Sequence, residues 1–332
     1  MPLLSIPSPS AAWQYADVTS WLNSAFGWSL PFDFRIQSYA VCILLGIIAA
    51  VVLTNVRLAR RGAEPWVIVD IAIWAVPLGV IGARIWFVLA HLGDYFGAGH
   101  NPASVLAIWD GGLSIFGGLL LGAIGAWAAC RQLGLRFTTF VDALAPGFLL
   151  AQAFGRLGDW FNHSVFGAPT SAWWGLQIES TNPAYPKGLP AGTLFEPTFL
   201  WEIIWDLVGV ALLVALDRRF RLQWGRLLAL YLVWYGIARV VLDSIRVDAA
   251  PTLFGVRLTV WAGWVAIIVG LVVFAVQHRR HRGPEPDAYL PGKLPASRLH
   301  VVSDDTYSEH DDEDDPIVDA ESEPVAAAAD RS

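Results

Sequence analysis

Four residues near the end of one apolar run could do chemistry together. Tyr235, Arg239, Asp243 and Arg246 are spaced so that, at about 100° per helical residue, they fall at about 0°, 40°, 80° and 20°. One stripe of that helix would carry a phenol, two guanidiniums and a carboxylate. Glu202 and Asp206 stand one helical turn apart at the start of another run. Arg84 and Arg156 fall near the ends of two more. Ionisable side chains inside apolar runs are costly, so they face a cavity or a partner. One reading is internal salt bridging, Asp243 with Arg239 or Arg246. The other starts from the gathering of arginines at one depth on three runs. Guanidinium forks match phosphate oxygens in pairs and stay charged. At the edge of a bilayer the available phosphate is a phospholipid headgroup. These residues alone do not distinguish transport, sensing or modification of that lipid.

The elements that must position them are membrane spans. Of 332 residues, 55% are hydrophobic and only 15% charged. Mean hydropathy is +0.49. That leaves too little charge for the surface of a soluble domain this long. The 17 Trp and 17 Phe suit interfacial aromatic belts. Seven apolar runs approach the spanning length of about 20 residues: 39–57, 67–90, 112–130, 138–156, 197–216, 227–245 and 258–277. The third contains Gly118 and Gly122, a spacing that lets helices approach closely. The fourth, with Asp142, Pro146 and Gln152, is the weakest span. The fold class expected is an all-α polytopic membrane protein with seven transmembrane helices.

Basic clusters set the orientation. Arg57, Arg60 and Arg61; Arg131 and Arg136; Arg218, Arg219, Arg221 and Arg226; and Arg279, Arg280 and Arg282 alternate with the seven runs. All four then face the cytoplasm, with the N-terminus outside. Residues 1–38 would be an outer-face segment and 39–278 the membrane domain. Loop 157–196, rich in Gly, Pro, Ser and Trp, would form a small outer-face head. Residues 279–332 would be a cytoplasmic acidic tail, disordered because its hydrophobicity is low and its charge high. The net charge of −7 comes from that tail, since residues 303–332 carry twelve Asp or Glu and one Arg. Cys42 and Cys130 read as small buried hydrophobes, and no metal-ligand spacing exists. No basic segment followed by an apolar core opens the chain, so no cleavable signal peptide is expected.

The stretch GRLGDWFNHSVFGAPT, residues 155–170, resembles the prolipoprotein diacylglyceryl transferase signature G-R-x-G-N-F-x-N-x-E-x-x-G. WDGGLSIFGG at 109–118, EPTFLWE at 196–202 and YGIARVVLDSIR at 235–246 are similar to three further motifs of that family. QSYAVCILLGIIAA and GVIGARIWFV fit its first two helices, and the resemblance runs in order from about residue 35 to 278. It implies a multi-pass bacterial plasma-membrane enzyme. That enzyme would move the diacylglyceryl unit of phosphatidylglycerol to the thiol of a lipobox cysteine in an exported prolipoprotein, releasing glycerol phosphate. No metal, cofactor or nucleic acid is implied. By motif matching, Arg156, Arg239, Tyr235 and Asp243 would be catalytic. Tyr39, Arg84, Asp159, Asn162, Gly167, Glu202 and Arg246 would bind substrate.

Several positions depart from the family pattern. Asp159 stands for its Asn, Ser164 for its Glu, Glu196 for its His, Trp201 for its Tyr and Asp243 for its Glu. Phe116 stands where some members carry His. Asp159 could supply the negative charge that Ser164 lacks, and His163 could titrate if exposed. A transferase-like paralogue that binds lipid or preprotein without turnover is the alternative reading. A lipid transporter is a remote one, because no inverted repeat relates the two halves.

Overall fold

The computed structural model describes residues 5–27, 35–96, 102–108, 111–163, 165–182, 185–247 and 252–293. Ser164, Trp109, Asp110 and the acidic segment 294–332 lie outside the described residues. The chain opens with α1 (Ala11–Gln14), β1 (Tyr15–Asp17), α2 (Val18–Phe26) and β2 (Arg35–Gln37). Then come α3 (Ser38–Arg60), α4 (Val67–Ala90), α5 (Leu92–Phe96), a 3₁₀ turn (Pro102–Leu106), α6 (Ile115–Gln132) and α7 (Phe137–Asn162). After β3 (Leu176–Gln177) and β4 (Leu194–Phe195) follow α8 (Thr198–Phe220) and α9 (Arg226–Leu242). A hairpin of β5 (Thr252–Leu253) and β6 (Val256–Arg257) leads into α10 (Leu258–Arg280).

Among the described residues, six helices are long and apolar enough to cross a membrane: α3, α4, α6, α7, α8 and α10. The run expected at 227–245 forms α9, which has 17 residues and packs between α8 and α10. The helices associate chiefly as pairs: α3 with α7, α4 with α6, and α9 with α10. α7 is the most buried of the six long helices. That explains why its sequence reads as the weakest span: its polar residues face protein. Gln152 donates to the Tyr231 hydroxyl at 2.8 Å. Asp142, fully buried, accepts from the backbone N–H groups of Gly225, Leu227 and Leu228 at 2.8, 2.9 and 2.9 Å. A carboxylate thereby caps the positive N-terminal end of α9.

The α4–α6 pair meets through Gly82 and Gly117. A Cβ on either would fall 2.4 or 2.1 Å from the other's carbonyl oxygen. Gly118 and Gly122, the spacing picked out in the sequence, face the same helix at ordinary contact distance instead. The seam is shifted by one residue, because the helix face is set by packing along its whole length.

One end of the bundle carries a small head. β3 and β4 pair antiparallel, and Ile6 adds a parallel bridge beside Leu176. Phe166, Leu176, Ile178, Phe195 and Phe199 form its buried core. Each such side chain contributes roughly 1.5–3 kcal/mol relative to exposure. At the opposite end, residues 281–293, which the sequence counts with the acidic tail, pack beneath the helices. The Tyr289 hydroxyl accepts from Glu64 N at 3.0 Å, Ala288 O from Arg136 N at 2.8 Å, and Gln223 Oε1 from Glu285 N at 2.6 Å. This strap ties the loops after α3, α6 and α8 together. Hydropathy falls at Arg279, but the strap is held by polar contacts that a hydropathy scan does not register.

Candidate active site

Three helices bring charge to one place near the end of the bundle that carries the head. α7 supplies Arg156 and Asp159 from its last two turns. α8 begins after Pro197, where a missing N–H costs nothing, and supplies Glu202 and Asp206. α9 supplies Tyr235 and Arg239 and hands over to Asp243 and Arg246 just beyond its end.

These side chains form a chain of alternating charge. Arg156 Nη1 bonds Asp159 Oδ2 at 2.6 Å, and Arg156 Nε lies 2.6 Å from Glu202 Oε2. Arg239 Nη2 bonds the same Glu202 oxygen. Arg239 Nη1 reaches Asp243 Oδ1 at 3.2 Å, and Arg246 Nη1 reaches that oxygen at 3.3 Å. The order Asp159–Arg156–Glu202–Arg239–Asp243–Arg246 thus balances three guanidiniums against three carboxylates. Glu202, Arg239 and Asp243 are buried. Ion pairs this deep persist only with close geometry and supporting hydrogen bonds.

The relay is not saturated. Glu202 Oε1, Asp243 Oδ2 and Arg239 Nε are buried and have no hydrogen-bond partner among the described residues. The same holds for Oδ2 of Asp206, one turn along α8. Such atoms each cost about 1–3 kcal/mol if left so. They cluster where a polar ligand would be met. Arg239 Cζ also lies 5.2 Å from the centroid of the Tyr235 ring, a cation–π contact.

The internal pairing read from the α9 stripe is present. Asp243 does bridge Arg239 and Arg246, as internal pairing requires. Arg156 and Arg239 also converge, meeting on one carboxylate oxygen. A groove of about 330 Å3 between α3 and α7 is lined by Tyr39, Gln152, Arg156 and Asp159. Arg239 is not on its wall; it joins the groove through Glu202 and Arg156.

Arg84 is not brought into the relay. Its Nε donates to Val105 O at 2.6 Å, Nη1 to Gly111 O at 2.7 Å and Gly112 O at 3.1 Å, and Nη2 to Ser104 O at 2.7 Å. Every nitrogen of the fork is thus committed to carbonyls. Arg84 organises the loop between α5 and α6, a task that equal depth along a helix could not reveal. Phe116 sits on the exposed face of α6 near Trp86, with ring centroids 6.5 Å apart.

Gly167 acts through its lack of a side chain. Its N–H donates to Glu196 O at 2.8 Å, and a Cβ there would fall 2.8 Å from that of Glu196. Gly167 also bridges the backbone of Arg246. The segment after α7 can therefore pass between the start of α8 and the far end of the relay. Asn162, the last residue of α7, is exposed. His163 is buried, in the left-handed conformation that ends α7 (φ 50°). Its ring lies 3.1 Å from the Ser8 hydroxyl. Burial holds its pKa below the ordinary 6.5, which the charge of Glu179 partly opposes. It anchors the N-terminal segment rather than facing solvent.

The profile described as prolipoprotein diacylglyceryl transferase matches residues 26–276. A phosphatidylglycerol–prolipoprotein diacylglyceryl transferase of Leifsonia xyli subsp. xyli is 49% identical over 325 residues, 94% of each chain. Proteins of the same name from Frankia alni and Bifidobacterium adolescentis are 43% and 40% identical, over 75% and 81% of this chain and 65% and 81% of theirs. The chain belongs to the prolipoprotein diacylglyceryl transferase family. It is a diacylglyceryl transferase, and its departures from the family pattern take on structure in that light.

Two departures form one contact in this transferase. The Glu196 carboxylate accepts from the indole N–H of Trp201 at 3.2 Å and from that of Trp174 at 3.1 Å. The departures at 196 and 201, Glu where the pattern has His and Trp where it has Tyr, thus touch each other. Asp159 pairs with Arg156 and so extends the relay by one charge. Two features escaped the reading of the sequence. Asp206 was visible there only as a helical neighbour of Glu202. Trp174 lies in a loop, with no periodicity to mark it.

Proposed function

We propose that this transferase takes the diacylglyceryl group of phosphatidylglycerol and joins it to the thiol of a lipobox cysteine in exported prolipoproteins. The product left behind is glycerol phosphate, and the reaction is the first step of lipoprotein maturation. The observation that carries this reading is the convergence of Arg156 and Arg239 on Glu202, with Glu202 Oε1 and Arg239 Nε unpartnered beside them.

The chemistry asks for such a device. The cysteine sulfur forms a bond to the glycerol carbon, and that carbon's bond to the phosphate oxygen breaks. The electron pair leaves on the phosphate, which is stabilised by fixed donors already aimed at it. Guanidiniums held by carboxylates are pre-positioned, and a phosphodiester can exchange for a carboxylate at either fork. The thiol must lose its proton to attack, since thiolate is the nucleophile. Glu202 Oε1, Asp206 Oδ2 and Asp243 Oδ2 are the carboxylate oxygens of the site available to take part. The reaction in this form needs no metal or cofactor.

The same reading places the chain in the bacterial plasma membrane with seven spans, α9 being the seventh. It puts the N-terminus and the head outside. Support comes from the arginines that close α3, α6, α8 and α10, all at the end away from the relay.

The test uses purified protein in phosphatidylglycerol vesicles with a peptide bearing one lipobox cysteine. Peptide mass and glycerol phosphate release are followed for the native chain, for Arg156→Ala, and for Asp159→Asn with Ser164→Glu. Turnover by the native chain and none by Arg156→Ala is expected. A silent native chain beside an active double variant would show that the fold had lost its chemistry.

A further inference from the structure

A second cluster of guanidiniums stands at the other end of the bundle. Glu202 and Asp217 are both on α8, about 22 Å apart along its axis at ~1.5 Å per residue. Around Asp217 the last turns of α3 and α8 face each other across a cavity of about 600 Å3. Arg57, Arg60, Arg61, Arg218 and Arg221 line it, against a single lining carboxylate, Asp217. Arg57 and Arg61 grip that carboxylate at 2.9 and 3.0 Å. Arg61 Nη1 is buried with no hydrogen-bond partner among the described residues, 3.9 Å from Asp142 Oδ2. Arg60, Arg218 and Arg221 are exposed, and no acidic partner holds them among the described residues.

The other wall is apolar. Leu53, Val56 and Val214 line the cavity on its inner side. On the same faces α3 exposes Val56 and α8 exposes Leu207. A basic rim over an apolar wall fits a molecule with a phosphate and hydrocarbon chains. A soluble anion would use the rim alone.

We propose that this cavity binds the phosphate of an anionic phospholipid from the leaflet at this end of the bundle. Its acyl chains lie along the exposed flanks of α3 and α8. Arg60, Arg218 and Arg221 meet the phosphate, and Arg57 and Arg61 supply a positive floor that Asp217 keeps in place. Basic pockets between spanning helices recognise lipid headgroups in this way. The site is separate from the relay and independent of its chemistry.

The experiment is native mass spectrometry of the purified full chain in detergent with dioleoyl phosphatidic acid, an anionic lipid without a glycerol headgroup. The Arg60→Gln, Arg218→Gln, Arg221→Gln variant is compared with the native chain and with Arg156→Gln, which accounts for lipid at the relay. The triple variant is expected to hold its high-affinity lipid about a hundredfold more weakly, at roughly one order of magnitude or less per charge. Arg156→Gln should retain that lipid. Thermal unfolding checks the fold of the triple variant, and Arg218→Gln alone replaces it if it does not fold. Equal retention by native and variant chains overturns the proposal. So does equal retention of dioleoyl phosphatidylcholine. Displacement of the lipid by millimolar inorganic phosphate would identify a soluble-anion site instead, and would also overturn it.

Discussion

The two ends of α7, α8 and their neighbours carry buried charge networks built from the same parts, and they are finished differently. At the base, both oxygens of Asp142 accept backbone N–H groups from the start of α9, and both oxygens of Asp217 hold arginines. Arg57 donates to the carbonyls of Ala143 and Asp142 as well. At the head end, Glu202, Asp206 and Asp243 each keep one buried oxygen without a partner among the described residues. The first network is tied to the backbone through Asp142 and Arg57 and holds helices together, with Arg61 Nη1 its one buried atom lacking a hydrogen-bond partner among the described residues. The second is closed only side chain to side chain, and so can be opened by a ligand that offers equivalent groups. Burial of charge does not by itself mark a catalytic site.

The sharpest way to break this comparison is to remove one carboxylate from each network. Asp142→Ala should lower unfolding stability by about 3–5 kcal/mol, because it strips a buried network of one partner. Asp206→Asn should leave stability within roughly 1 kcal/mol while reducing transfer. Thermal melts in one detergent decide the matter, and equal losses would erase the distinction. Next in size is Arg156→Gln, expected to cut kcat/KM about 10²–10³-fold, as loss of one transition-state donor does. Its melting temperature should fall less than that of Asp142→Ala, since Arg156 is only half-buried. A purely structural Arg156 would reverse that order.

A smaller effect sharpens the account of the departures. Glu196→Ala should cost about 1–3 kcal/mol by leaving two indole donors unmatched. Combining Glu196→His with Trp201→Tyr should cost less than the two changes added, and a double-mutant cycle measures the coupling. Strict additivity would mean the two departures are unrelated. The least effect is pH-dependent. Because the pKa of His163 is lowered in the folded chain, its contribution is present above its unfolded pKa, near 6.5, and is lost as pH falls through the folded value. Hydrogen-exchange protection factors of residues 5–27 should therefore fall as pH drops below about 6.5, and His163→Gln should flatten that change. Acid-independent protection factors in the native chain would exclude the anchoring role.

Much of the charge cluster at the head end was legible in the sequence because helical periodicity carries it. The arithmetic that put Tyr235, Arg239, Asp243 and Arg246 on one stripe is what the ion pairs and the cation–π contact display. The meeting of Arg156 with Arg239 was legible as shared depth. Depth failed for Arg84, whose partners are carbonyls of a loop with no periodic signal. Periodicity also stops at Arg279, so the strap at Glu285 and Tyr289 was read as tail. The departures at 196 and 201 looked like two losses because each was read alone, while the structure pairs them.

Trp205 and Trp234 fix how α8 lies against α9. Each indole N–H donates to the other residue's carbonyl, at 3.3 and 3.2 Å, and the rings stack with centroids 4.4 Å apart. This reciprocal lock sits three residues from Glu202 and five from Arg239, and it uses backbone acceptors that no substitution removes. The alignment of α8 and α9 at the candidate site is thus set by a contact outside the charged relay. Lineages can then exchange an amide for an acid, or shorten a side chain by a methylene, without losing the registration on which the chemistry depends. The active site can drift because its frame is held elsewhere.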